Sequence, residues 1–319
     1  MLPWLAALAL GAVTAASFLG GLWWAFDLAA HFRPQLALLS LAAAAFAAIA
    51  RAPVPGAVLL ASLVANAAPL MPRLAGAVEM ACAGAARDAP VGLRLLTLNL
   101  HGRGTDPAAF RRLIEAERPD IVLLTELPRD LGPLTAGLPA LPAHRLIDQR
   151  GSGFDLALFS RWPFAFWQLD RGDSGLPVLA ADICPAAGSN DGACLRIVGV
   201  HAARPLEAQA QPQDEQLDRA AHLAAQAPAG GVVLLGDLNL TPWSPRFRTL
   251  LEDSGLRDAS MQLPFEPTWR APLPFLGLAI DHVLTSPGLA VACSRTGAEV
   301  GSDHLPVIAD IGIAGGAAP

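Results

Sequence analysis

The chain has 319 residues, 53% hydrophobic and 16% charged, with a formal net charge of −6 and no tyrosine. That length allows one large domain with a smaller companion, and the acidic balance argues against the broad basic footprint of a general nucleic-acid binder. The charge is unevenly spread: residues 1–86 carry only Asp27, Glu79, Arg33, Arg51 and Arg73. The acidic remainder suits clustered carboxylates that await divalent cations.

Residues 4–26, 34–50 and 52–72 are three uncharged apolar stretches. At about 1.5 Å per residue, the first and third reach the ~30 Å of a hydrocarbon core. Trp4 and the Trp23-Trp24 pair fall near opposite ends of the first, where interfacial aromatics are expected. A cleaved signal peptide needs a basic start and a shorter apolar run. Residues 1–86 are therefore expected to be a membrane domain of about three transmembrane helices plus a linker rich in Ala and Gly. Arg51 sits in the tight second connection, so the positive-inside rule places it in the cytoplasm and residues 87–319 on the outer face.

Cys82, Cys184, Cys194 and Cys293 form no CxxC, which argues against a structural zinc site. Cys184 and Cys194 bracket a loop rich in Gly, Asn, Asp and Pro. They read either as a disulfide, in an oxidising compartment, or as two unpaired thiols at strand ends.

From residue 93, short apolar runs alternate with helical stretches. Residues 93–100 read as a strand. Thr105-Asp106-Pro107 is a helix start, a capping residue before a first-turn proline. Residues 121–125 form a buried strand bounded by Pro119-Asp120 and Pro128. Further strands are expected at 156–160, 195–200, 232–236, 280–285 and 307–311, with a helix over 207–226. This mixture predicts an α/β domain with more than one sheet.

Apolar strands repeatedly run out into one titratable or metal-capable residue: Asn99, Glu126, His201, the Asp237-Leu238-Asn239 run, and Asp303-His304 just before the last strand. Ligands of α/β sheets collect beside strand ends, so these residues are candidates for one crevice. Each alone has a plainer reading: a turn amide, a solvated strand end, a core histidine, a helix cap.

The ordered set resembles the endonuclease/exonuclease/phosphatase superfamily. The motifs are LTLNLHG with Asn99, LLTELP with Glu126, GVHAARP with His201, GDLNLTP with Asp237 and Asn239, IDHVLTS with Asp281, and GSDHLP with Asp303 and His304. The resemblance covers roughly residues 93–311. It implies a four-layer sandwich of two packed β-sheets flanked by helices, as a domain spanning 87–319. Three spans before such a domain also resemble a bacterial group of membrane-bound members, which implies a multi-pass inner-membrane protein; with the side read from Arg51, its catalytic domain is expected to be periplasmic.

The resemblance further implies divalent-metal-dependent hydrolysis of a phosphoester, with Mg²⁺ or Mn²⁺ held by Glu126, Asn99 and Asp303. Asp281 would orient His304 as a general base or phosphate contact. Asp237 would orient or deprotonate water, Asn239 would hold a phosphate oxygen, and His201 would protonate the leaving group. The substrate is expected to be a nucleic acid, a phospholipid or a small phosphoester, met at a lipid bilayer. The alternative is a silent binding or sensor module on the same fold. Arg161, Trp243, Trp269 and Phe275 are weaker candidates, for positioning an anion or lining the cleft. His101, His144, His222 and His282 are set aside as non-catalytic.

Overall fold

A computed structural model describes residues 1–72, 92–102, 104–185, 194–228, 230–259, 266–270 and 276–313. The expected linker, Cys82 and Phe275 lie outside the described residues.

Among the described residues, twelve strands form two six-stranded sheets. The first has the order β11-β12-β1-β2-β4-β3, and the second β5-β6-β7-β8-β10-β9. In the first, β1 is Gly92–Asn99, β2 Ile121–Thr125, β3 His144–Asp148, β4 Leu156–Ser160, β11 Leu289–Thr296 and β12 Val307–Ile313. In the second, β5 is Phe164–Asp170, β6 Val178–Ile183, β7 Leu195–His201, β8 Val232–Asp237, β9 Arg257–Asp258 and β10 Asp281–Thr285.

Each sheet contains one parallel pair, β1 with β2 and β7 with β8. A parallel pair needs a crossover, and a helix supplies each one. These are α5 (Pro107–Glu117) and α7 (Glu207–Ala225). As the Asp-Pro pair predicts, Asp106 caps α5 by accepting from the Ala108 amide at 3.0 Å. Short α6 (Gly132–Thr135) and longer α8 (Pro245–Ser254) complete the outer layers.

Strand side chains alternate in direction, and this separates the cores. Leu93, Leu95, Ile121 and Leu123 meet Ile197, Val233, Leu235 and Val283 between the sheets. Leu96, Leu98, Val122 and Leu124 face outward beneath α5 and α6. Val198, Val200, Val232 and Leu234 face outward beneath α7 and α8. The result is helix, sheet, sheet, helix, the four layers that the resemblance implied.

The amino-terminal third comprises α1 (Leu2–Ser17), α2 (Trp24–His31), α3 (Arg33–Ile49) and α4 (Pro53–Ala67). Small residues let α1, α3 and α4 approach closely around Ala7, Ala44, Ala47 and Leu59. Asn66 on α4 donates to the Thr14 hydroxyl on α1 at 2.8 Å.

The first apolar stretch is not one helix, because α1 stops at Ser17 and Gly20-Gly21 turns the chain before α2. Among the described residues, only Pro53–Leu70 is by itself long and apolar enough to cross a membrane. α2 and α3 meet that length only as a pair bent by 69°.

Candidate active site at one end of the two sheets

The positions of the polar residues follow from strand parity. Asn99 continues the inward series Leu93, Leu95, Thr97. His201, Asp237 and Asp281 stand in step with Ile197, with Val233 and Leu235, and with Val283. His201 is paired with Asp237 in the parallel register, and Asp281 with Asp237 in the antiparallel one. β12 runs antiparallel to β1, with Thr97 opposite Val307, so Asp303 and His304 arrive at the same end as Asn99. Glu126 has the wrong parity for this face. Its positive φ of 47° turns it in after β2.

The motif glycine before Asp237 has a steric reason. Gly236 holds φ +139°, and a Cβ there would fall 1.9 Å from the Val200 carbonyl oxygen. Only glycine allows β8 this approach to β7.

The side chains form a continuous constellation. Asn99 Nδ2 donates to Glu126 Oε1 at 3.0 Å and to Asp237 Oδ2 at 2.9 Å. Its side-chain oxygen Oδ1 accepts from the His101 backbone amide at 2.8 Å. Asn99 thus meets Glu126 through its amide nitrogen, ordering two carboxylates rather than presenting its oxygen beside them. His201 Nε2 lies 3.5 Å from Glu126 Oε1 and 3.7 Å from Asp237 Oδ2. His304 Nε2 lies 3.8 Å from Asp237 Oδ2, and its Nδ1 lies 2.8 Å from Asp281 Oδ2. Asn239 donates through Nδ2 to the Ala202 carbonyl at 2.8 Å, and its amide donates to Asp237 Oδ1 at 2.9 Å.

Burial sets the electrostatics. It penalises the charge on Asp237 and, with neighbouring Asp281, raises the carboxyl above its ordinary range against the pull of His304, His201 and Asn99. For His304 burial opposes the cation, yet Asp281, Asp237 and Asp303 outweigh it and push the imidazole up to about 10. A charged His304 favours a phosphate contact over a general base.

The eight expected residues share one cleft end. Two further groups join them. His101, set aside from sequence, places Nδ1 3.2 Å from Asp303 Oδ1 and 4.0 Å from Glu126 Oε2, because its φ of 54° swings the ring across the cleft. Its adjacency to Asn99 was the available signal. Trp269 donates its indole N–H to Asp303 Oδ2 at 3.1 Å. Trp243 instead is buried against α2, and Arg161 pairs with Asp120 away from the cleft. His282 turns to the opposite face, against Phe247. The cleft itself, about 420 Å³, is lined by Glu126, Asp237, Asn239, Asp303 and His304 below, and by Leu28, Leu206, Leu278 and Ile280 on its walls.

The chain matches the model of the Endonuclease/Exonuclease/phosphatase family over residues 96–304, nearly all of this domain. It belongs to the endonuclease/exonuclease/phosphatase family. Comparison with curated proteins finds no match. Among solved structures, the family protein from Beutenbergia cavernae DSM 12333 aligns with TM-score 0.54 at 20% identity, covering 70% of this chain and 72% of that one. A humanized D. rerio TDP2 aligns at 0.55 and 16%, covering 69% and 98%. The human Nocturnin catalytic domain, solved with bound sulfate, aligns at 0.52 and 17%, covering 69% and 94%. At these identities the likeness is one of fold.

Members of the family are divalent-metal-dependent hydrolases, and the residues present fit such an ion. Ligand atoms of Glu126, His201 and Asp237 lie within 4.8 Å of one another. Glu126 and Asp303 add oxygen donors on either side of His101. Carboxylate oxygens of this kind suit a hard cation.

Proposed function

We propose that the chain is a membrane-anchored hydrolase of phosphodiester bonds that works with Mg²⁺ or Mn²⁺. The observation that carries this is the meeting of Glu126, Asp237, Asp281, Asp303, His201 and His304, from both sheets, around one cleft. Glu126 and Asp303 would hold the ion, which when bound neutralises charge on the phosphoryl oxygens. Asn99 orders Glu126 and Asp237 from the side. Asp237 orients the attacking water and takes its proton, and the Asn239 side-chain amide meets a phosphoryl oxygen. Charged His304, held by Asp281, meets the charge that develops on the phosphoryl group. His201 gives a proton to the leaving oxygen.

Within phosphodiesters, the apolar walls favour an amphiphilic substrate such as a phospholipid. D. rerio TDP2 has been solved with a single-strand DNA product. The lining sets Leu28, Leu206, Leu278 and Ile280 beside a single arginine, Arg204, so on this acidic chain a nucleic-acid backbone running past the scissile phosphate meets few cations.

Membrane anchoring is supported by large apolar side chains exposed on the amino-terminal helices, including Leu5, Leu8, Leu38, Leu39, Ile49, Val54, Leu60 and Val64. α1, α3 and α4 would span together, with Arg51 cytoplasmic and the catalytic domain outside. The Cys184–Cys194 disulfide supports that side, since such bonds persist in oxidising compartments.

The test is full-length protein in detergent with Mg²⁺ or Mn²⁺ on bis(4-nitrophenyl) phosphate and on short-chain phospholipids. The expected result is cation-dependent turnover that EDTA removes, with the lipid preferred over single-stranded DNA. Turnover that EDTA leaves intact would reject the metal role.

A further inference from the structure

The amino-terminal segment enters the catalytic site. α2 lies where the sequence places a connection between two spans, yet its polar residues are buried, with Asp27 0% and His31 1% exposed. Three hydrogen bonds fasten it to the loop that follows β8. Ser244 Oγ donates to Asp27 Oδ1 at 2.7 Å. The Thr241 amide donates to His31 Nδ1 at 3.3 Å, and the Trp243 indole donates to the His31 carbonyl at 2.9 Å.

His31 Nε2 lies 3.3 Å from Asp27 Oδ2. A backbone N–H only donates, so Nδ1 is the acceptor and the ring proton sits on Nε2, where Asp27 receives it. The turn before α2 is equally close. A Cβ on Gly20 would fall 2.9 Å from both Asp27 Cα and Pro245 Cγ. Burying a carboxylate and an imidazole costs free energy, and apolar side chains could dock a helix without it. What the polar pair adds is direction: an acceptor aimed at one backbone amide.

That amide belongs to the loop that carries the chemistry. Residues 237–244 contain Asp237 and Asn239, and Asn239 holds a left-handed φ of 51°, a conformation that asparagine adopts more readily than most residues. The Leu238 carbonyl accepts from Gln213 and the Leu240 carbonyl is 2.8 Å from His282 Nε2. Thr241, next in line, is fastened from outside the domain. His31 and Leu28 also line the cleft directly.

We propose that Asp27 and His31 are positioning residues: they brace the 237–244 loop so that Asp237 and Asn239 meet the phosphoryl group. The segment joined to the membrane helices is thereby part of the active site. This rests on the function proposed above, and it gives the catalytic domain a requirement outside its own fold.

The test uses full-length protein in detergent and compares His31→Asn, His31→Gln and His31→Ala. An asparagine oxygen falls near the position of Nδ1 and can accept from Thr241. A glutamine reaches only the Nε2 position. The brace therefore predicts that Asn retains much of the turnover while Gln and Ala each lower kcat by about tenfold or more, with KM and cation dependence little changed. Hydrogen–deuterium exchange over residues 237–244 should follow the same order, fast in Gln and Ala and protected in Asn. If Ala fails to fold, the Asn–Gln pair still decides.

Gln matching Asn in both readouts would make His31 mere packing and overturn the proposal, as would wild-type kcat and exchange in all three variants. Should the wild type hydrolyse no phosphodiester, the proposed function fails while the exchange order still tests the brace.

Discussion

His304 Nδ1 lies 2.8 Å from Asp281 Oδ2, with both residues buried at the open end of the inter-sheet core. The two come from sequence positions that share no strand, and their pairing fixes the tautomer and charge of the imidazole. This raises the pKa of His304 to about 10: burial works against the charge, and the surrounding carboxylates, Asp281 foremost, outweigh it. The raised pKa contributes stability that is fully present below the ordinary histidine value of 6.5 and is lost as pH climbs through about 10. Denaturant unfolding of wild type and Asp281→Asn should differ most near pH 6 and converge as pH approaches 10. A gap that widens with pH would contradict the pairing.

His304→Ala should lower kcat by about 10²–10³-fold, the usual cost of removing one donor that meets developing charge. Circular dichroism should show the fold retained with a lowered melting temperature, because the change takes the partner from fully buried Asp281. Retained kcat would remove His304 from the chemistry.

Gly236→Ala should destabilise the domain by about 1–3 kcal/mol or more, since it forces a Cβ 1.9 Å from a backbone oxygen at a φ of +139°. Thermal melting measures this. An unshifted midpoint would mean that β8 does not pass β7 as described.

Cys184 and Cys194 close a short loop, with a sequence separation of 10. Cys184→Ser should cost about 2–3 kcal/mol under oxidising conditions and nothing in excess reductant. A carboxy-terminal reporter active only outside the cytoplasm should be active when fused to the full chain. Activity of a cytoplasm-only reporter would reverse the orientation.

Much of the site was legible because strand parity is legible. Once residues 93–99, 195–201 and 232–237 are strands, Asn99, His201 and Asp237 must face the inter-sheet core at its end. Glu126 and His101 break that logic through positive φ, which the sequence does not announce at a non-glycine residue. Strands β3, β5 and β11 were missed because they are half exposed, without a clean alternation, and β9 because it has only two residues; β6 was missed although it is buried. The docking of α2 was hidden for a different reason. Asp27, His31 and Arg33 look like the polar loop between two membrane spans, and only the partners Thr241, Trp243 and Ser244, more than 200 residues away, reveal them as buried contacts.

The most direct measurement is Mn²⁺ binding to full-length protein by paramagnetic resonance, read together with phosphodiester turnover, for wild type and Glu126→Gln. The account predicts that wild type binds the ion and turns over, and that Glu126→Gln loses both while remaining folded. A Glu126→Gln protein that still binds Mn²⁺ and hydrolyses substrate at the wild-type rate would contradict it.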